Sequence, residues 1–352
     1  MKIAIIDDGI NQNYFAQRIY QKVDFSSGVS QNGEDSRHGT ICAQIIRQIC
    51  GKIDIVDVKV LKNGTAHIRQ FIKSLKWCEC NDIKLVHLSI GTVNYFDIKP
   101  LENQIKKMLK KGIIIVAAYH NKNIKTFPAS FPGVFGVRQD RESILSDNDF
   151  LFQNSAELNK ENCIVVHGKK SEDYGSVNSF AAPVISGYIA KYLVEYANAD
   201  FYMVLDHLVS ISNKEKRYTE EISTVVKKNS ELLIPVIQLR GMDNKNMTEF
   251  VSIFDNEGYS FILLEEGIST SNSIPFGYFR KDAKKIEDIL YTIDMIYKPD
   301  TIFISSRKNL VSNEIDLIIS SVGNCYEIIT HEGYYSVSDL EKMYQAVYKI
   351  LN

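Results

Sequence analysis

The chain opens on Met1 to Ile6, mostly apolar, and the run stops at Asp7-Asp8-Gly9. A short apolar run ended by acidic residues and a glycine predicts a buried strand followed by a turn. Ile53 to Leu61 alternates apolar with charged or small residues and predicts a second strand. Ala66 to Cys80 has helical spacing, and Leu85 to Ile90 reads as a strand closed by Gly91. Pro100 to Lys111 reads as an amphipathic helix with a basic face, stopped by Gly112, and Ile113 to Ala118 as a strand apolar throughout. Ser179 to Ala197 has the length of another helix. Strands apolar on both faces, alternating with helices, predict an α/β fold: a parallel sheet covered by helices on both sides.

Around Ser210 to Asn229 the chain turns polar and charged, with Ser212-Asn213-Lys214-Glu215-Lys216-Arg217 at its centre. The α/β pattern then restarts. Strands are expected at 232–239, 259–264, 301–305 and 315–320, and helices at 247–256, 283–296 and 336–351. The expected organisation is a first domain over 1–205, a polar linker or helix over 206–230, and a second, smaller α/β domain over 231–352. No repeat or low-complexity tract interrupts it.

Composition narrows the classes of function. The 41 Lys plus Arg against 43 Asp plus Glu give a net charge of -2, which makes no case for general nucleic-acid or membrane binding. The opening run is too short for a signal peptide and no window is apolar enough to span a bilayer, so a cytoplasmic location is expected. Six scattered cysteines do not form a disulfide framework and are expected as thiols. Cys78-Glu79-Cys80 lacks the spacing and second pair of a zinc knuckle.

Four short segments carry candidate chemistry. Asp7 ends a predicted buried strand. His38-Gly39-Thr40 opens the helical run Ile41 to Cys50. Asn121 follows the apolar strand 113–118. Ser179, in Asn178-Ser179-Phe180-Ala181-Ala182-Pro183, starts a helix. A serine hydroxyl needs a base to take its proton, and the histidine base needs a carboxylate to fix its tautomer. A tetrahedral oxyanion needs donors, which an Asn amide and a helix N-terminus can supply.

In these segments the sequence resembles the subtilase family of serine proteases. Asp7-Asp8-Gly9, His38-Gly39-Thr40-Ile41-Cys42-Ala43 and Ser179-Phe180-Ala181-Ala182-Pro183 are similar to the family's three signature segments. Val116 to Asn121, Ser89-Ile90-Gly91 and Phe127 to Val134 are similar to three further segments in the same order. The resemblance covers about residues 1–200. It implies that Asp7, His38 and Ser179 form a catalytic triad, that Asn121 holds the oxyanion, and that Ser89, Ile90 and Gly91 pair with an extended peptide. The chain departs from the family at Val177-Asn178, where Gly-Thr is usual, and at His120, where Gly is usual. It begins at the first core strand, without the family's propeptide, so an active form with an intact N-terminus is expected. Cys42 is read as a small buried apolar residue, and His67, His87, His167, His207 and His331 are given no role.

The resulting expectation is an intracellular serine endopeptidase with a peptide or protein substrate and no nucleic-acid or membrane partner. Removal of the leader from a modified peptide is its nearest analogy. The alternatives are an inactive subtilase-fold peptide-binding protein and a nucleotide-regulated protease. The last rests on Gly241 to Thr248, which keeps the outer Gly and the Thr of a phosphate loop but places Asn246-Met247 where Gly-Lys belongs. No cofactor is expected; calcium is left open, as are specificity and oligomeric state. The second domain is expected to bind a partner or the substrate's leader.

Overall fold

The computed structural model describes residues 1–15, 18–26, 37–153, 163–168, 177–226, 232–267, 272–279, 282–310, 312–323, 325–330 and 333–351. His331 lies outside them. The chain divides into two compact units, Met1–Ile222 and Ser223–Asn352. No described helix is long and apolar enough to cross a membrane.

Among the described residues the first unit holds β1 (Lys2–Asp7), β2 (Gln21–Asp24), β3 (Asp54–Lys59), β4 (Leu85–Leu88), β5 (Ile114–Ala118), β6 (Phe135–Gln139), β7 (Phe150–Gln153) and β8 (Cys163–Val166). They form one sheet in the order β2-β3-β1-β4-β5-β6-β8-β7, parallel except where β7 meets β8. Its helices are α1 (Arg37–Ile49), α2 (Ile68–Cys80), α3 (Tyr95–Lys110), α4 (Asn178–Glu195) and α5 (Phe201–Ile211).

Successive strand side chains point to opposite faces, and in β1 both faces are buried. Ile3 and Ile5 pack with residues of α1, α4 and α5 on one side. Ala4 and Ile6 pack with residues of α2 and α3 on the other. The first unit is therefore a mostly parallel α/β sheet flanked by helices, as the alternation predicts. Helix α4 is apolar on almost every side and is buried along most of its length, including Phe180, Ile185 and Ile189, as expected of a helix at the centre of a core.

The structure differs from the sequence reading in places. Helix α3 begins five residues before Pro100 because Asn94 caps it, its side chain accepting the Phe96 N–H. Pro100 therefore lies inside the helix. Residues 206–222, read as linker, close the first unit. Asn213 N donates to Phe150 O at 2.8 Å, and the Thr219 hydroxyl donates to Glu142 at 2.9 Å. The guanidinium of the fully buried Arg138 bonds to Gln153 and to the Glu220 carbonyl and lies over the Tyr218 ring at 4.5 Å.

The second unit contains β9 (Val236–Arg240), α6 (Asn244–Asn256), β10 (Phe261–Glu265), β11 (Ser273–Pro275), α7 (Ile286–Tyr297), β12 (Thr301–Ser306), β13 (Leu317–Val322), β14 (Cys325–Ile329), β15 (Tyr334–Val337) and α8 (Leu340–Leu351). Its sheet order is β11-β10-β12-β9-β13-β14-β15, with β13, β14 and β15 antiparallel. Residues of α6 and α8 pack on one face against Leu263, Phe303 and Ile319. Residues 336–337 belong to β15 and not to the terminal helix expected from Ser336.

Candidate active site

Three neighbouring strands, β1, β4 and β5, deliver side chains at their carboxyl ends, the edge at which open parallel sheets usually bind ligands. Asp7 is the last residue of β1, Ser89 follows β4, and Asn121 lies just past β5. His38 and Ser179 come from the first turns of α1 and α4, whose apolar faces share one core. Residues far apart in the chain thus meet at one edge of the sheet.

The structure brings Asp7, His38 and Ser179 into hydrogen-bond distance. His38 Nδ1 lies 2.9 Å from each Asp7 carboxylate oxygen, and Nε2 lies 2.8 Å from Ser179 Oγ. Asp7 is 1% exposed. Burial pulls the His38 pKa down. The Asp7 charge and its hydrogen bond act the other way and prevail, so the net shift is upward. Phe180 stacks on the imidazole at 4.9 Å between ring centroids and limits its rotation.

Gly39 permits this approach. A Cβ there would meet Gly9 O at 2.5 Å and Asp7 Cβ at 3.1 Å. Asp8, read as a turn residue, also caps α1. Its carboxylate accepts the Gly39 N–H at 2.8 Å and the His38 N–H at 3.3 Å, which fixes the backbone carrying the imidazole. Burial and the neighbouring Asp7 raise the Asp8 pKa to about 6 against those two bonds.

Asn121 Oδ1 accepts the Asn178 N–H at 2.9 Å. An N–H can only donate, so the amide orientation is set and Nδ2 is left as a donor beside the cleft that Asn121 lines. The α4 N-cap, Val177, provides no side-chain acceptor for the first-turn N–H groups. A helix N-terminus left in this way favours negative charge. Asn178, one of the departures from the family pattern, is fully buried and ties three segments together. Its Nδ2 donates to Tyr119 O and His120 O, and its Oδ1 accepts the Gln139 N–H. His120 lines the cleft as a neighbour of the site.

The cleft has a volume of about 740 Å³, and Ser89, Ile90 and Gly91 line it with His38, Asn121 and Ser179. Gly91 packs so closely that a Cβ would meet Thr126 Cγ2 at 2.7 Å and Phe127 O at 2.8 Å. The next residue, Thr92, exchanges two backbone hydrogen bonds of 2.8 Å with Phe127, which holds this edge extended.

Beneath the site lies a polar layer in which the sequence reading gave His87 no role and Cys42 only an apolar one. Ser89 Oγ donates to Ser179 O at 3.0 Å. His87, fully buried, places Nε2 2.8 Å from Ser89 Oγ and Nδ1 2.9 Å from Ser186 Oγ. Cys42 is also fully buried, its Sγ 3.4 Å from Ser89 Oγ and 3.9 Å from Asp7 Oδ2. Burial, the largest influence, raises its pKa, which favours the thiol. Donor atoms of Asp7, His38 and Cys42 lie within 4.8 Å of one another, a spacing at which a soft ion could be held. Alternating strand geometry is the signal that could have found His87: it lies in β4 two residues before Ser89, which follows the strand.

A strand-end carboxylate, an imidazole and a serine hydroxyl joined in that chain order on a parallel sheet make this an α/β protein with the constellation of a serine hydrolase. Sequence comparison adds the family. The profile of the Subtilase family matches residues 1–221, and the chain belongs to that family. It is 29% identical over 157 residues to the minor extracellular protease Epr of Bacillus subtilis (strain 168), covering 40% of this chain and only 24% of that protein. It is 24% identical over 233 residues to subtilisin DY of Bacillus licheniformis, covering 60% of this chain and 82% of the relative. Among solved structures, the nisin leader peptidase NisP from Lactococcus lactis aligns over 60% of this chain and 82% of its own, with 14% identity and a TM-score of 0.49.

Proposed function

We propose that the protein is a serine endopeptidase that cleaves an extended peptide. The observation that carries this reading is the imidazole of His38, bonded to the Asp7 carboxylate at 2.9 Å and to Ser179 Oγ at 2.8 Å. Ser179 Oγ attacks the scissile carbonyl while His38 Nε2 takes its proton. His38 then returns that proton to the leaving amine, and a water repeats the cycle on the acyl-enzyme. Asp7 holds the ring and stabilises its cationic form. Asn121 Nδ2 and the Ser179 N–H stabilise the oxyanion. Ser89, Ile90 and Gly91 offer an extended edge along which a peptide can lie as an added strand.

The finer reading is a cytoplasmic enzyme with a dedicated peptide precursor as substrate. All six cysteines are free, as suits a reducing compartment. The second unit carries a crevice of its own of about 400 Å³, lined by Gly241 to Asn244, Glu265, Glu266 and Ser305 to Arg307, which would add recognition to that of the first unit.

Labelling with a fluorophosphonate tests the assignment. Wild type is expected to be labelled, and Ser179→Ala and His38→Ala are expected not to be. A folded wild type that takes no label would leave a peptide-binding protein as the better reading.

A further inference from the structure

The carbonyl of Ser179 stands in the first turn of α4, where its helical partner would be the N–H four residues on. That residue is Pro183, which has no N–H. The carbonyl of the proposed nucleophile therefore lacks its usual partner within the helix, and a donor from outside can take that place. Ser89 Oγ does this at 3.0 Å, with the Cys42 thiol a longer contact at 3.6 Å.

A serine hydroxyl has one proton, and here Ser89 directs it at Ser179 O. Towards His87 Nε2, 2.8 Å away, Ser89 Oγ can then only accept. The His87 proton must lie on Nε2. Its Nδ1 is then an acceptor and takes the Ser186 hydroxyl proton across 2.9 Å. Every bond in the chain Ser186, His87, Ser89, Ser179 points the same way. The opposite tautomer would set two acceptors against each other at 2.8 Å or draw the Ser89 proton off the Ser179 carbonyl. Burial lowers the His87 pKa to about 4, against the attraction of Asp7, so the ring is neutral at ordinary pH.

We propose that His87 is a positioning residue for the nucleophile: by donating from Nε2 it holds the Ser89 hydroxyl on the Ser179 carbonyl. It clamps β4 to α4 at two places, directly at Ser186 and through Ser89 at Ser179. This goes beyond the proposed triad and rests on that reading. Its value is geometric, because a small misplacement of a reacting atom costs rate out of proportion to stability.

The test uses the full chain. Nitrogen NMR of the His87 ring in unaltered protein is expected to show a protonated Nε2 and a bare Nδ1 throughout pH 6 to 8, roughly two units or more above the shifted pKa. In kinetics, His87→Leu is expected to lower kcat about tenfold with little change in KM, as for loss of one hydrogen bond. His87→Gln, which restores a donor towards Ser89, is expected to recover kcat to within about threefold of wild type. A proton on Nδ1, or a folded His87→Leu with unchanged kcat, overturns the proposal. The tautomer is read without any substitution, so the decision stands even where His87→Leu is unstable. Absence of fluorophosphonate labelling in wild type would instead remove the protease reading and leave the tautomer measurement intact.

Discussion

The Asn121 side chain is held through its Oδ1, which accepts the Asn178 N–H at 2.9 Å, and its Nδ2 is left as a donor beside the cleft. Removing such a donor typically costs roughly 2.7–4 kcal/mol of transition-state stabilisation, a rate loss of about 100- to 1,000-fold. Asn121→Ala is therefore expected to lower kcat by that factor with KM nearly unchanged, and steady-state kinetics on a short peptide measures it. An unaltered kcat would move the role elsewhere. Asp7 has a different signature. His38 acts as base only when neutral, and Asp7 raises its pKa, so activity should rise with pH through a value above the ordinary 6.5. Asp7→Asn removes the charge that raises that pKa and leaves the burial that lowers it. The rising limb of the pH–rate profile is then expected to move to lower pH, while the maximum falls about 10,000-fold. A limb that stays in place would mean that Asp7 does not govern the titration. Asp7, His38, Ser179 and Asn121 could be picked from sequence because each sits in a short segment of distinctive composition. His87 and Ser186 could not be paired in that way. They are 99 residues apart, and only the packing of β4 on α4 brings them together.

At the scale of elements, α6 shows how a local detail decides a ligand. Its N-cap is Asp243, whose carboxylate accepts the Asn246 N–H at 2.9 Å, and Glu265 and Glu266 line the same crevice. A helix N-terminus already facing a carboxylate, with acidic neighbours, is a poor seat for phosphate. Calorimetry with ATP or GTP and magnesium is expected to show no binding in the micromolar range. Binding at that level would revive the nucleotide-regulated reading. The elements easiest to read were strands apolar on both faces, β1 and β5 above all, since their runs are too short for a helix, rich in Ile and Val, and bounded by turn signals. Others were hidden. Strand β6 ends in Arg138 and Gln139, which look exposed in sequence yet are buried because later residues return over them, Glu220 O accepting from Arg138 Nη2 and Asn178 Oδ1 from the Gln139 N–H. The start of α3 was masked by Pro100, since a proline more often opens a helix than lies within one. Strand β15 runs into the cap of α8, and Tyr334-Tyr335-Ser336-Val337 is exposed enough to lack clean alternation.

For the whole molecule, the boundary between the two units falls at Ile222 and Ser223. Charge at 212–217 suggested an earlier division, but composition cannot show that Tyr218 and Glu220 cover Arg138. A chain ending after Ile222 is expected to fold and to cleave short generic peptides at near wild-type rate, with weaker cleavage of the proposed precursor. A chain ending near Ser212 is expected to be markedly less stable, because Arg138 loses the Glu220 carbonyl and the Tyr218 ring. Thermal melts and peptide assays on the two truncations compare them directly, and equal stability would contradict this account of the segment. The arrangement of the site also has a consequence for the order of synthesis. Ribosomes deliver the chain from Asp7 onward, and His38 must wait for a partner 141 positions later. Until Ser179 has emerged and α4 has packed on the sheet beside α1, the growing polypeptide contains the proposed base and its carboxylate but nothing for them to activate. A cell translating this message is thus expected to carry no peptidase activity of this kind on its half-made copies.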